Sequence, residues 1–223
     1  MQIPKTTPIG ETGKIVLADD LGGSASALRA GRLDWDDDFT GLPEVRALVP
    51  GQVVIDVGAF IGDTTHMFLL RGCEVYAFEP QSDAFFCLVH NCPEAHCYQA
   101  AVGSDELYQC STGPEACERA QWHLGGRPLV RDGFHRTVAL DRLGFSRVDF
   151  LKIDAEGWEP LVLAGAKDLI AKYKPVIHVE VFTAALAPLG FTAGSILGHL
   201  SQYNCREVRR YDANLHELIC IPR

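Results

Sequence analysis

VVIDVGAFIGDTT, residues 53–65, reads as a strand, a tight turn and the start of a helix. Val53, Val54, Ile55 and Val57 give the strand apolar side chains on both faces, which suits a parallel strand covered by helices on either side. Gly58 and Gly62 bracket the turn. Asp63, Thr64 and Thr65 stand where they can cap the free amides of a helix whose apolar face is Met67, Phe68, Leu69 and Leu70. In an open α/β sheet the ligand crevice lies beyond the carboxyl ends of the strands, so this turn is the expected seat of a cofactor. The helix start there favours an anionic group such as a carboxylate.

The pattern repeats outward. CEVYAFEP (73–80) reads as a second strand closed by a proline, and Ser82 is placed to cap a helix running to Asn91. HCYQAAVG (96–103), RVDFLKID (147–154) and KPVIHVEVF (174–182) follow as strands, with helices expected over Trp158–Tyr173 and Ala193–Tyr203. CREVRRYD (205–212) and HELICIPR (216–223) alternate and read as a terminal hairpin. The sum is a doubly wound, Rossmann-like α/β domain over residues 51–223, with a mainly parallel sheet and one antiparallel strand near its edge. Residues 1–50 read as an N-terminal extension with a charged turn at Asp34–Asp38 and a short helix through Val45–Leu48. Ser104–Arg136, broken by Gly113-Pro114 and Gly125-Gly126, reads as an irregular excursion and a functional lid.

A formal charge of -9 repels a polyphosphate backbone, and Glu207 and Asp212 dilute the cluster of Arg206, Arg209 and Arg210, so nucleic acid is not the expected partner. No apolar run approaches the ~20 residues of a membrane span, and the first residues lack the apolar core of a signal peptide. A cytoplasmic protein with reduced thiols is expected, and no membrane partner. Cys87, Cys92 and Cys97 lie among His90 and His96, but structural zinc sites use tighter ligand pairs, so these residues are expected to be packing groups.

Glu79 ends the second strand a little over twenty residues past Asp56, where a carboxylate can accept hydrogen bonds from ribose hydroxyls. A dinucleotide site calls for a middle glycine in its first turn, and this chain has Phe60 there. With VVIDVGAFIGDTT, YAFEP, AAVG (100–103), FLKIDAEGWEPLVLAGA (150–166) and HVEVF (178–182) in this order, the chain resembles the FkbM-type family of S-adenosylmethionine-dependent methyltransferases. IDAEGWE is the specific block, because glycine-rich first turns are shared by many nucleotide folds. The resemblance implies the seven-stranded class I methyltransferase fold and S-adenosylmethionine as cofactor. It implies that Asp56, Gly58 and Gly62 meet the methionine part, Glu79 the ribose and Ala101 the adenine. Ala59, Asp63, Thr64 and Pro80, beside them in the same two turns, complete the cofactor set.

Asp154, Glu156, Glu180 and His178 are the candidate catalytic residues, at the ends of the fourth and fifth strands. Amino methyltransferases commonly place an Asn-Pro-Pro-Tyr or Asp-Pro-Pro-Tyr turn here, whereas this chain has carboxylates. A hydroxyl acceptor on a small molecule or sugar is therefore expected, since it must shed a proton that a carboxylate or imidazole can receive. His178 also suits a structural role, and Glu159 a solvated or capping one. Asp154 and Glu156 offer oxygen ligands to a divalent cation, but carboxylates alone do not make a metal site and no metal is assigned. Trp122, His123 and Arg127 are candidate acceptor contacts from the excursion. Two rivals stay open on the sequence: a nicotinamide-dependent oxidoreductase and a non-catalytic binding module on the same fold.

Overall fold

A computed structural model describes residues 6–9, 14–17, 37–110, 127, 129–131, 133 and 135–223. Thr6–Ile9 (β1) and Lys14–Leu17 (β2) pair antiparallel. They are followed by Asp37–Gly41 (α1) and Pro43–Arg46 (α2). Val53–Val57 (β3), Asp63–Leu70 (α3), Glu74–Phe78 (β4), Ser82–Asn91 (α4) and His96–Tyr98 (β5) form the first βαβαβ half. Leu107–Cys110 (β6), Leu129–Arg131 (β7) and His135–Arg136 (β8) come next. Phe150–Ile153 (β9), Glu159–Ala164 (α5), Lys167–Tyr173 (α6) and Val176–Phe182 (β10) continue the alternation. Thr183–Leu186 (α7), Ala193–His199 (α8), Tyr203–Arg210 (β11) and Leu215–Pro222 (β12) complete it.

The main sheet has seven strands in the order β11-β12-β10-β9-β3-β4-β5. β12 runs antiparallel to both β10 and β11, and the registered pairs from β10 through β5 are parallel. The expected doubly wound sheet with one antiparallel strand near its edge is what forms. Strand order reverses at β3, whose neighbours are β4 on one side and β9 on the other, and the crevice opens at that switch point.

Alternation along the strands sends Ile55, Leu151, Ile153 and Ile177 into one core under α5, α6 and α8, and Val54, Phe150 and Ile219 into another with Phe39, Val45 and Phe68. That second face changes character along its length. At its base Val54, Phe150 and Val176 are in register; one pleat higher Asp56, Lys152 and His178 are in register, all buried. The next pleat brings Asp154 and Glu180, with Glu217 directly opposite Glu180 on β12.

Several local expectations are corrected. Helix α3 has Gly62 as its N-cap with no side-chain cap, because the Thr64 and Thr65 hydroxyls donate instead to Asp56. Gln81, not Ser82, precedes α4, also without a side-chain cap. The expected helix from Trp158 to Tyr173 is two, α5 and α6, broken at Gly165-Ala166. The Ser104–Arg136 excursion is not irregular throughout: β7-β6-β8 form a three-stranded antiparallel sheet, and Tyr108 and Leu129 pack on buried Trp158. Part of it, including Trp122 and His123, lies outside the described residues. Of the expected charged turn Asp34–Asp38, Asp37 and Asp38 begin a helix and Asp34–Asp36 lie outside the described residues. Cys205 and Cys220 are cross-strand partners 4.0 Å apart at Cα and joined by a disulfide, so the expectation of reduced thiols fails where pairing presents both side chains on one face. Among the described residues no helix is long and apolar enough to cross a membrane.

At the break between α5 and α6, Gly165 stands where a side chain has no room. A Cβ on Gly165 would lie 1.9 Å from the carbonyl oxygen of Gly103. Gly165→Ala is therefore expected to destabilise the fold by about 1–3 kcal/mol, whereas Gly198→Ala in α8, where a Cβ meets nothing within 4 Å, should stabilise by up to about 1 kcal/mol. Denaturant unfolding of the two variants checks both signs.

Candidate functional site

Two turns face each other at the switch point. The first, after β3, carries Gly58, which has a left-handed backbone (φ 77°) and no room for a side chain, since a Cβ would sit 1.7 Å from the carbonyl oxygen of Asp154. That contact joins it to the second turn, after β9. Between them opens a crevice lined by Gly58, Phe60, Asp63, Thr64, Glu79 and Pro80 on one side. Phe78, Ala101 and Val102 form its apolar wall, and Asp154, Glu156, His178, Glu180, Tyr211 and Glu217 its far end.

Glu79 is buried and each of its oxygens accepts a backbone amide: Oε2 from Phe60 at 2.9 Å and Oε1 from Gln81 at 2.7 Å. A carboxylate has about four acceptor positions, so it has capacity left for two ribose hydroxyls. Burial pushes its carboxyl up to about 7, against the opposing pull of those two amides and of Arg127.

Asp56, expected to meet the cofactor, instead stands behind the turn. It is fully buried and absent from the crevice lining; Oδ2 accepts Thr64 Oγ1 at 2.8 Å and Thr65 Oγ1 at 2.7 Å, while Oδ1 lies 3.1 Å from Lys152 Nζ. Ala59 is packed with Ala77, Leu88 and Cys92, and a Cβ on Gly62 would meet Cys92 Sγ at 2.8 Å, so these two serve packing of the turn on α4. Gly58, Asp63, Thr64, Glu79, Pro80 and Ala101 do reach the crevice. Asn91 also steadies the turn: its Nδ2 donates to the carbonyls of Ile61 (2.7 Å) and Ile15 (2.9 Å), tying β2 to it.

The second turn is held from within. Glu159, at the start of α5, is neither solvated nor exposed; its Oε1 accepts the amides of Ala155 (3.0 Å) and Gly157 (3.1 Å). Burial raises its carboxyl to about 7 against those bonds. Between the two amides Glu156 adopts a left-handed backbone (φ 51°) and is itself buried. Carboxylate oxygens of Asp154, Glu156 and Glu180 lie within 4.8 Å of one another, an arrangement with the donor chemistry for an oxygen-ligated divalent cation.

His178 is buried, with Nε2 3.2 Å from Glu217 Oε2 and its ring edge-to-face with Phe39 at 4.7 Å. Tyr211 donates its hydroxyl to the other Glu217 oxygen at 2.8 Å. Burial works to raise the Glu217 carboxyl, but His178, Tyr211 and Arg209 outweigh it and hold the carboxyl below its ordinary value.

Lys152, Glu217, Tyr211 and Phe60 were not foreseen as site residues. A lysine inside FLKID, on a strand buried on both faces, was the available signal, because such a charge must find a counter-charge. Burial alone would lower the Lys152 pKa, but Asp56, Asp154 and Asp63 together hold it above its ordinary value. Arg127, an expected acceptor contact, directs its guanidinium to Asp83 with bonds of 2.6 and 3.0 Å.

Residues 56–207 match the family described as methyltransferase FkbM domain. No curated protein matches the sequence significantly. Among solved structures, the FkbM methyltransferase from Methylobacillus flagellatus KT superposes with a TM-score of 0.53 at 15% identity, over 89% of this chain and 52% of that one. This chain thus spans about half the length of that protein. A TehB-like S-adenosylmethionine-dependent methyltransferase from Corynebacterium glutamicum superposes with a TM-score of 0.52 at 10% identity, over 89% and 93% of the respective chains. At these identities the likeness concerns the fold. The family match covers more than half of the sequence, and with it the chain belongs to the FkbM family of S-adenosylmethionine-dependent methyltransferases.

Proposed function

We propose that this protein is a cytoplasmic enzyme that methylates a hydroxyl group of a small molecule or sugar. The observation that carries the reading is the far end of the crevice, where Asp154, Glu156 and Glu180 gather. Bound S-adenosylmethionine supplies an electrophilic methyl group on a sulfonium. The protein supplies position and a proton acceptor. A hydroxyl of low acidity gives up its proton as its oxygen attacks, and an oriented pair of reactants gains several kcal/mol of rate enhancement before any base acts. Glu180, level with Asp154, is the proposed proton acceptor; His178, kept in one orientation by Glu217, stands one pleat below it. The same carboxylates repel phosphorylated and polyanionic acceptors, which supports a neutral small molecule or sugar over nucleic acid.

Residues that fit the cofactor are those that line the crevice beside the two turns. Glu79 suits the ribose, Ala101 and Phe78 the adenine, and Gly58 with Asp63 and Thr64 the methionine part. A carboxyl that titrates near 7 makes binding pH-dependent. Because its folded value lies above that of the unfolded chain, Glu79 favours folding when protonated, and this contribution is lost as pH rises through about 7. Ribose hydroxyls donate to the ionised form, so binding has the opposite dependence and releases a proton. Affinity for S-adenosylhomocysteine is expected to rise between about pH 6 and about pH 8. Glu79→Gln should flatten the dependence and weaken binding at the upper pH by about 1.5–3 kcal/mol. Titration calorimetry checks both, and tight NAD binding without heat from S-adenosylhomocysteine would overturn the cofactor assignment.

The acceptor role has its own test. Methyl transfer from labelled cofactor into pools of neutral polyols, sugars and phenols identifies a substrate. With it, Asp154→Asn and Glu180→Gln should each lose about 10²-fold or more in turnover, and Glu180→Gln should melt at or above the wild-type temperature, since relieving crowded carboxylates favours the fold. Wild-type turnover in both variants would refute the assignment. A chelator distinguishes the two chemistries open to this cluster: loss of activity assigns a divalent cation to it, and full activity assigns proton transfer alone.

A further inference from the structure

Lys152 occupies the centre of the site, yet nothing in the proposed chemistry uses it. Its ammonium lies 3.1 Å from Asp56 Oδ1, 3.2 Å from the carbonyl oxygen of Gly58 and 3.7 Å from Asp154 Oδ2. An ammonium has three protons and no acceptor; of the three oxygens around it the Gly58 carbonyl accepts a hydrogen bond and the two carboxylates are ion-pair partners. They belong to three places: the end of β3, the cofactor turn and the start of the acceptor turn. Register puts the residue there, since Lys152 stands opposite Asp56 on β3 and His178 on β10.

We propose that Lys152 is the positioning residue of methyl transfer, whose buried ammonium clamps the cofactor turn to the acceptor turn and sets the charge that the sulfonium meets. The inference rests on S-adenosylmethionine being the cofactor. Gly58 and Asp154 already touch across the two turns, and a shared donor fixes their carbonyl and carboxylate in one relative placement. The same cation offsets two of the anions around it. Without it the site would attract any positive ligand more strongly, and S-adenosylmethionine carries one more positive charge than S-adenosylhomocysteine. Lys152 therefore tunes how the protein distinguishes its substrate cofactor from its product.

Dissociation constants of both compounds, measured by calorimetry on wild type, Lys152→Met and Lys152→Arg, test this. In Lys152→Met both affinities should fall, by about tenfold or more for S-adenosylhomocysteine, and the ratio of the S-adenosylmethionine constant to the S-adenosylhomocysteine constant should drop by about threefold or more. Lys152→Arg keeps the charge but not the compact three-way contact, so both affinities should fall with the ratio unchanged. A purely structural lysine predicts parallel losses and a constant ratio in Lys152→Met, and that result overturns the proposal; so does a shifted ratio in Lys152→Arg. If Lys152→Met does not fold, Lys152→Gln carries the same comparison. Wild-type protein that binds neither compound would overturn the cofactor assignment as well, whereas a constant ratio in a protein that binds both overturns this inference alone.

Discussion

Asp56 is a fully buried carboxylate beneath a turn, and the site is organised around satisfying it. Two threonine hydroxyls from α3 and one ammonium from β9 do so. Each partner fixes an element: the hydroxyls seat the first turn of α3 against the end of β3, and Lys152 locks β9 to β3 at that height. Removing one partner of such a buried pair leaves an uncompensated charge and costs about 3–5 kcal/mol, far more than the pair contributes against an apolar substitute. A strand pair held by ions at this position is therefore poor economy for stability alone. It is well suited to keeping two ligand-facing turns in one geometry.

Glu79 and Glu159 solve a second problem in the same way. Turns that approach a ligand cannot satisfy their amides with regular secondary structure, and buried amides need partners. Each glutamate turns a carboxylate toward the inside of one turn and accepts two backbone amides. Burial offsets those bonds so far that both carboxyls titrate near 7. The two turns differ in what is left over: Glu79 lines the crevice, whereas Glu159 is absent from its lining. Similar chemistry thus gives one carboxylate that can meet a ligand and one that holds Glu156 in place.

The sheet was legible because parallel strands covered on both faces must be continuously apolar and must end near glycine, proline or an acid, as residues 53–58, 73–80 and 147–154 do. Glu79 was legible for the same reason, from its place at a strand end. Asp56 was legible as a site residue but not in its role, because sequence spacing does not say whether a carboxylate at a strand end points at a ligand or back under the turn. Lys152 went unrecognised since its partners come from three separate segments. The close approach of Gly165 to Gly103 joins segments far apart in the chain, which no local period reveals. β6, β7 and β8 are two to four residues long and separated by glycine-rich text, too short for alternation to register.

His178 shows how the sheet edge enters the site. On β10 alone it would be one more polar residue facing a hydrophobic layer, edge-on to Phe39. β12, which lies between β10 and the edge strand β11, runs antiparallel to both, and its register sets Glu217 opposite Glu180 and within reach of the His178 ring. A carboxylate has no proton to give, so in this pair Nε2 is the donor and the ring is held in one orientation. Tyr211, at the turn between β11 and β12, donates to the remaining Glu217 oxygen and fixes the carboxylate in turn. A parallel strand directly beside β10 would have had to arrive by a crossover, whereas the β11–β12 hairpin delivers Tyr211 and Glu217 on the two sides of one short turn. The antiparallel strand thus completes the sheet and also brings to the crevice the residues that orient its histidine.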